Sequence, residues 1–533
     1  MSCLLSHCCN ILIYQLVAGY KWSSRAVISW CYIYTWTGDM EVEIGFSTCL
    51  MVVFLLTGVH SELFSSITSL HRLMKQGEGH VLVAHHLAER RPEDGSTVLR
   101  LLSEVHSLYD KHPLSVEHPI ITLNILKTFR VMATFTDEHF IKDIRDKGLD
   151  WPTDEDVSGA YHAIARLQKT YELPFDDVIG GSVAGIQSGF SLLEEDVVRI
   201  AEQALNMGYN ATAMSWLDRK WTDTTCATCC QQLVNRLGTP SGGAVCSKEW
   251  RHGHISGSGL PKSGHRDKQS RYPEYEELCR KSLSNGHGSR KPLFCSYSSG
   301  RVPYVRYRHE FYSLDPLIVM FYDVVSEIES LFLKYVASHV LESGGIAIKG
   351  ENRDISSFDN RVGHVGWVYD DWHPIISRIS RRIADVTTLS TLSLAAATHA
   401  EPLQICNYGV GGHFRPHQDA FADDVTNIPE MAIGSGNRDA TFMVYLSDVR
   451  VGGATVFPDL EVYVRPVKMA AVFWLNTWRS GRRDSRSVHG GCPVLVGDKW
   501  IANKWMWSIG QTFKRPCGLS ENDTDISLYM SRD

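Results

Sequence analysis

From Leu403 to Trp507 the chain repeats one device. A short run rich in aromatic and β-branched residues is followed by a break of Gly, Asn, Asp or Pro. ATFMVYLSDV, LEVYVRPV, AAVFWLN and KWIANKWMW are such runs, and they follow a period of two. Residues two apart share one face of a strand. Several short strands at this spacing imply an antiparallel sandwich or jelly roll. Upstream, IVMFYDVVSEIESLFLKYV predicts a strand and then a helix capped by Ser326. HPIISRISRRIADVT predicts an amphipathic helix with Ile375, Ile379 and Ile383 on one face.

The first half has the other period. In STVLRLLSEVHSLYDKH, residues Val98, Leu101, Leu102, Val105, Leu108 and Tyr109 recur at spacings of three and four. Phe64, Ile67, Leu70 and Met74 repeat the stripe in LFSSITSLHRLM. Such stripes mean helix packing, with a dimer surface as the sharper alternative. Further helices are expected over 151–220. One starts at Thr153–Asp156 and carries Val157, Tyr161, Ile164, Leu167 and Tyr171; another has Ser191 and Glu194 as its capping box. The helical pattern stops near Arg219, and residues 237–291 are dominated by Gly, Ser, Pro and basic residues, the composition of a linker.

The fold class is therefore α+β: helical N-terminal regions followed by a C-terminal double-stranded β-helix, or jelly roll. The expected limits are a leader over 1–61, a helical domain over 62–150 and a partial helical module over 151–220. A largely disordered linker over 221–300, the β-rich domain over 301–517 and a tail over 518–533 complete the chain. A length of 533 residues allows several domains, and 44% hydrophobic with 21% charged residues supports a core without disulfides. A net charge of −7 gives no support for nucleic-acid binding.

FSTCLMVVFLLTGV at 46–59 is too short for a comfortable membrane span and has the length of a signal-peptide core, with cleavage expected near Ser61. Residues 1–39 precede a possible start at Met40 and are read as a second targeting-like segment or an upstream extension of the coding sequence. Entry into the secretory pathway is the expectation. Sequons at Asn210 and Asn522 are compatible with it. A Cys-x-x-Cys in CATCC at 226–230 has no second pair at zinc-finger spacing.

The chemistry concentrates in GGHFRPHQDAF at 411–421. On a strand, His417 and Asp419 would face the same way and bind one metal ion together. The non-haem iron triad needs one more His and leaves positions open for substrate and oxygen. His489 in SRSVHGGCPVLVGDKW supplies it. Lys499, at the end of PVLVGDK, would present an ammonium to an acid that chelates the metal by its other end. Tyr408 and Thr441 are candidate hydroxyl donors to the same acid. An isolated His-x-Asp is usually a surface pair, and a lone Lys is usually solvated. The combination within one β-rich segment is what gives weight.

The segments YGVGGHFRPHQD, GNRDATFMVYLSDVRVGGATVFPDLEVYVRPVKMAAVFW and HGGCPVLVGDKWIANKWM resemble the catalytic domain of collagen prolyl 4-hydroxylase alpha subunits. The likeness covers 310–517 closely and 62–220 more weakly, through LQKTYEL and LLEEDVVRIAEQAL. It implies that His417, Asp419 and His489 bind Fe(II) and that Lys499 holds the distal carboxylate of 2-oxoglutarate, with L-ascorbate rescuing oxidised iron. It implies a procollagen-proline 4-dioxygenase that hydroxylates C4 of prolines in Gly-X-Y chains and releases succinate and CO2. Intrachain disulfides Cys279–Cys295 and Cys492–Cys517 are implied, and so is an oxidising compartment, the endoplasmic reticulum lumen. LYMSRD carries no Lys-Asp-Glu-Leu-type signal, so retention would come from protein disulfide isomerase as beta subunit in an alpha2beta2 assembly. The alternatives are a dioxygenase for another proline-rich protein and a non-catalytic paralogue that binds a peptide or partner.

Overall fold

The computed structural model describes residues 66–111, 116–218, 224–236, 273–284, 293–299, 302, 304–343, 360–394, 397–421, 434–520 and 523. The leader, Asn522 and most of the expected linker lie outside the described residues. Ser61–Asp533 forms one compact unit.

Helices α1 (Ile67–Lys75), α2 (Gly77–Arg90), α3 (Pro92–Lys111), α4 (Pro119–Thr134), α5 (Glu138–Asp146), α6 (Asp154–Tyr171) and α7 (Phe175–Ile179) build the first layer. Helices α8 (Glu194–Asn206), α9 (Asn210–Leu217) and α10 (Thr224–Arg236) follow. The cap of α6 is as expected: Thr153 Oγ1 accepts from Asp156 N, and the Asp156 carboxylate accepts from Thr153 N at 2.8 Å. The start of α8 is a correction. Its cap is Leu193, whose N–H donates to Asp196 at 2.9 Å, and Ser191 lies outside the helix. Asp196 is fixed there because Lys127 and Tyr161 also donate to it.

Two further expectations change. The helical region does not end near Arg219, because α10 follows and buries Cys230, Leu233 and Val234. TTCATCCQQLVNR hid α10, since its Thr and Cys residues are weak helix formers with little apolar periodicity. Nor is 221–300 all linker. It also holds α11 (Pro273–Lys281), which buries Tyr275, Leu278 and Cys279, and strand β1 (Phe294–Ser299). The sheet domain thus begins before residue 301.

The strands after β1 are β2 (Arg306–Leu314), β3 (Leu317–Phe321), β4 (Glu342–Ser343), β5 (Arg361–Val362), β6 (His364–Val368), β7 (Leu403–Tyr408) and β8 (His413–His417). Then come β9 (Arg438–Tyr445), β10 (Thr455–Phe457), β11 (Val462–Val464), β12 (Ala471–Leu475), β13 (His489–Gly491) and β14 (Lys499–Trp507). Among the described residues the larger sheet runs β1-β2-β3-β12-β9-β14-β7-β6-β4 and the smaller β11-β10-β13-β8-β5, with antiparallel pairing throughout. These are the two faces of the expected jelly roll. Helix α12 (Glu327–Ala337) has Ser326 as cap, paired with Glu329. Helix α13 (Pro374–Thr387) buries Ile376, Ile379 and Ile383, with Ile375 at the margin of the stripe. Both helices cover the outer face of the larger sheet through Phe442, Phe473 and Leu403. Tyr445, Phe457, Trp474 and Ile501 fill the space between the sheets.

The N-terminal helices are not separated from this domain by a boundary at 150 or 220. One apolar core joins Leu70, Phe129, Ile164, Ile200 and Trp216 to Val456, Cys492 and Leu495. Burying the outer side of the smaller sheet against helices removes apolar area that a free-standing domain would expose.

Candidate metal centre

The two histidines meet because their strands pair. His417 ends β8 and His489 begins β13, and the two are direct cross-strand partners. Their ring centres are 4.4 Å apart. Asp419 departs from expectation, for it lies in the bend after β8 and not on the strand. The bend still returns its carboxylate: Oδ1 is 3.7 Å from His417 Nε2 and Oδ2 is 3.6 Å from His489 Nε2. Gln418 holds this bend by donating to the Asp484 carbonyl at 2.9 Å. One ligand atom from each of the three residues lies within 4.8 Å of the others, and no other such group occurs among the described residues.

The ring orientations suit a metal. His417 Nδ1 faces the Arg415 carbonyl at 2.8 Å and His489 Nδ1 faces the Ser487 carbonyl at 3.0 Å. Each Nδ1–H therefore donates to backbone, leaving the Nε2 lone pair for the shared point. Burial, with His489 alongside, holds the His417 ring well below the ordinary histidine value, in its neutral, ligating form. Burial opposes charge on Asp419, but His489, His417, Arg438 and a hydrogen bond from Thr441 outweigh it and keep the carboxyl below its ordinary value. Phe414 stacks on His417 at 3.6 Å, and Trp474 lies 4.6 Å from His489.

Thr441 belongs to this centre in a different role from the expected one. Its hydroxyl donates to Asp419 Oδ2 at 2.6 Å and accepts from Asn476 Nδ2 at 2.8 Å, so its proton orients the carboxylate and is not free for an acid. Nothing in the sequence pattern marked Asn476.

Lys499 opens β14 instead of closing the preceding apolar run, because Gly497 turns the chain at φ +121°. It pairs across the sheet with Tyr408. Its side chain is 3% exposed, and Nζ lies 5.9 Å from the ring centres of both Tyr408 and Tyr445. No carboxylate pairs with it among the described residues. Burial pushes its pKa down to about 7. Such an ammonium calls for an anionic partner. Tyr408 is buried beside it, its hydroxyl engaged by Arg361 and Cys406. Arg361, also without a carboxylate partner among the described residues, reaches Gln404 at 3.1 Å and lies 4.7 Å over Phe414.

The expected disulfides are both corrected. Cys279 bonds Cys492, with Cα atoms 5.6 Å apart, while Cys295 and Cys517 are free and exposed. Helix α11 sets Cys279 against the segment after β13, whereas Cys295 stands on the edge strand β1. Asn210 is the half-buried first residue of α9.

Two histidines with their Nε2 atoms turned inward, an ionised Asp and a buried ammonium with no carboxylate partner among the described residues match the donor set of Fe(II) with a dicarboxylic co-substrate. On a jelly roll this combination defines an Fe(II)- and 2-oxoglutarate-dependent dioxygenase. The model of the 2OG-Fe(II) oxygenase superfamily matches residues 403–507, and that of the prolyl 4-hydroxylase alpha-subunit N-terminal region matches 93–185. Prolyl 4-hydroxylase subunit alpha-3 of Rattus norvegicus is 32% identical over 434 residues, covering 70% of this chain and 77% of the relative. Subunit alpha-1 of Homo sapiens is 32% identical, covering 72% and 79%. A solved viral collagen prolyl hydroxylase from Paramecium Bursaria Chlorella virus-1 aligns with 36% of this chain and 95% of its own, at 23% identity and a TM-score of 0.28. The chain belongs to the family of prolyl 4-hydroxylase alpha subunits. It is a 2-oxoglutarate- and Fe(II)-dependent prolyl 4-hydroxylase.

Proposed function

We propose that the protein hydroxylates C4 of prolines in collagen-like Gly-X-Y chains within the endoplasmic reticulum lumen. The observation that carries the chemistry is the convergence of His417, Asp419 and His489 beside the unpartnered Lys499. His417 and His489 would hold Fe(II) through Nε2, and Asp419 through a carboxylate oxygen that Thr441 leaves free. Bound there, Fe(II) supplies oxygen activation coupled to decarboxylation of 2-oxoglutarate to succinate and CO2. Lys499 receives the distal carboxylate, with the Tyr408 and Tyr445 rings excluding water around it. Phe414 and Trp474 flank the histidines and limit water at the reacting position.

Support for a collagen-like substrate comes from the match of 93–185 to the alpha-subunit N-terminal region, together with the helices that continue to Arg236. A Gly-X-Y chain enters as an extended polyproline II strand. L-ascorbate restores iron oxidised in uncoupled turnovers. The alpha-subunit names of the relatives support a beta subunit. We assign that role to protein disulfide isomerase in an alpha2beta2 assembly, and the Cys279–Cys492 bond fits an oxidising compartment. Succinate release is the test. It should require Fe(II) and a (Pro-Pro-Gly)-type peptide. Release that instead follows a different proline-rich peptide would move the substrate elsewhere.

A further inference from the structure

One glycine precedes the strand of His417 and another lies within the strand of His489, and a helix presses on each. A Cβ on Gly411 would lie 2.6 Å from the Ala163 Cβ of α6, and one on Gly490 would lie 3.0 Å from the Tyr275 ring of α11. The same two helices donate hydrogen bonds to backbone there. Arg166 Nη1 donates to the Gly411 carbonyl at 3.0 Å, just before β8. Tyr275 Oη donates to the Gly491 carbonyl at 2.8 Å, and Tyr171 Oη to the Pro493 carbonyl at 2.5 Å, both just after His489. The helices are locked to each other by Lys169–Glu276 at 2.8 Å and by Arg280 donating to the Thr170 carbonyl at 3.0 Å. Cys279–Cys492 adds a covalent tie.

Gly491 is the point where both halves of the site meet. Its carbonyl is held by Tyr275, and a Cβ placed on it would stand 3.6 Å from Lys499 Nζ. Tyr275 and Tyr171 are buried at 5% and 6% exposure, so their hydroxyls do not exchange these acceptors for water.

We propose that Tyr275 and Tyr171 are positioning residues for the metal centre, setting the height of the His489 strand against the His417 strand and the Lys499 ammonium. Helices α6 and α11 are then the back wall of the active site. The inference rests on the metal-site reading above. A strand freed to shift would move the His489 Nε2 away from the other two ligands and change the space beside Lys499 at the same time.

The test is Co(II) titration of the full chain, read from the visible spectrum of the bound ion, with KM for 2-oxoglutarate measured in parallel. Tyr275→Phe keeps the ring and removes only the donor. It should weaken Co(II) binding about tenfold, the scale of losing a group that orients a metal ligand, and raise KM for 2-oxoglutarate. Tyr171→Phe should move both in the same direction. Tyr161→Phe is the control: it removes an equally buried bond on α6, to Asp196 at 2.8 Å, that does not reach the strands. It should lower the melting temperature and leave Co(II) affinity unchanged. If Tyr275→Phe and Tyr171→Phe behave like the control, the positioning role is wrong. If the unaltered chain fails to bind Co(II), the metal-site reading fails instead.

Discussion

Replacing Lys499 by Ala separates the co-substrate site from the metal site. The ammonium is 3% exposed, and burial moves its pKa from 10.5 to about 7. A shift of that size corresponds to roughly 5 kcal/mol against the charged form, at 1.36 kcal/mol for each unit. The carboxylate of 2-oxoglutarate offsets this when it binds. Deleting the ammonium leaves that carboxylate buried and unpaired, which costs about 2–5 kcal/mol. The dissociation constant for 2-oxoglutarate should therefore rise by roughly 30-fold to a few thousand-fold. Co(II) affinity should stay within about threefold, because Lys499 makes no bond to His417, Asp419 or His489. The assay is equilibrium binding of each ligand alone, followed by succinate formation against 2-oxoglutarate concentration. Metal binding that collapses while the 2-oxoglutarate requirement stays unchanged would refute this reasoning.

Four more outcomes follow from the same geometry. The free protein's Lys499 loses its proton above about pH 7 and the bound acid needs it charged, so 2-oxoglutarate affinity should be full below pH 7 and fall by up to about tenfold per unit above it, a slope Lys499→Met should lack. The fold depresses this pKa below the unfolded value, so the buried site favours a neutral side chain, and Lys499→Met without ligands should melt higher at pH 7 by calorimetry. Thr441→Val strips Asp419 of its 2.6 Å bond and should weaken Co(II) binding about tenfold; an unchanged titration would show that the hydroxyl does not orient the carboxylate. Peptide mapping without reduction should find Cys279 joined to Cys492 with Cys295 and Cys517 open to alkylation, and a Cys279–Cys295 peptide would overturn the pairing.

The sequence made the centre legible because its signals are local. A period of two marked the strands, and His417, Asp419, His489 and Lys499 sit in them or at their ends. What it hid was long-range. That His417 and His489 are direct cross-strand partners follows from how β8 and β13 pair, which no local pattern states. The bend that carries Asp419 and the turn at Gly497 that hands Lys499 to β14 depend on the chain's route between strands. Thr441 read as a donor to an acid because a hydroxyl on a strand shows its chemistry but not its neighbour. The helices escaped for two reasons. TTCATCCQQLVNR has little periodicity, and α11 lies in a polar stretch where Tyr275, Leu278 and Cys279 are the buried minority. The disulfide escaped because cysteine spacing does not encode which elements pack together.

The most direct measurement is anomalous X-ray diffraction at the iron edge on crystals grown anaerobically with Fe(II) and 2-oxoglutarate. One iron should appear, bonded to Nε2 of His417, Nε2 of His489 and a carboxylate oxygen of Asp419, with the co-substrate's far carboxylate on Lys499 Nζ. Iron bound elsewhere, or a co-substrate whose distal end turns away from Lys499, would contradict the account.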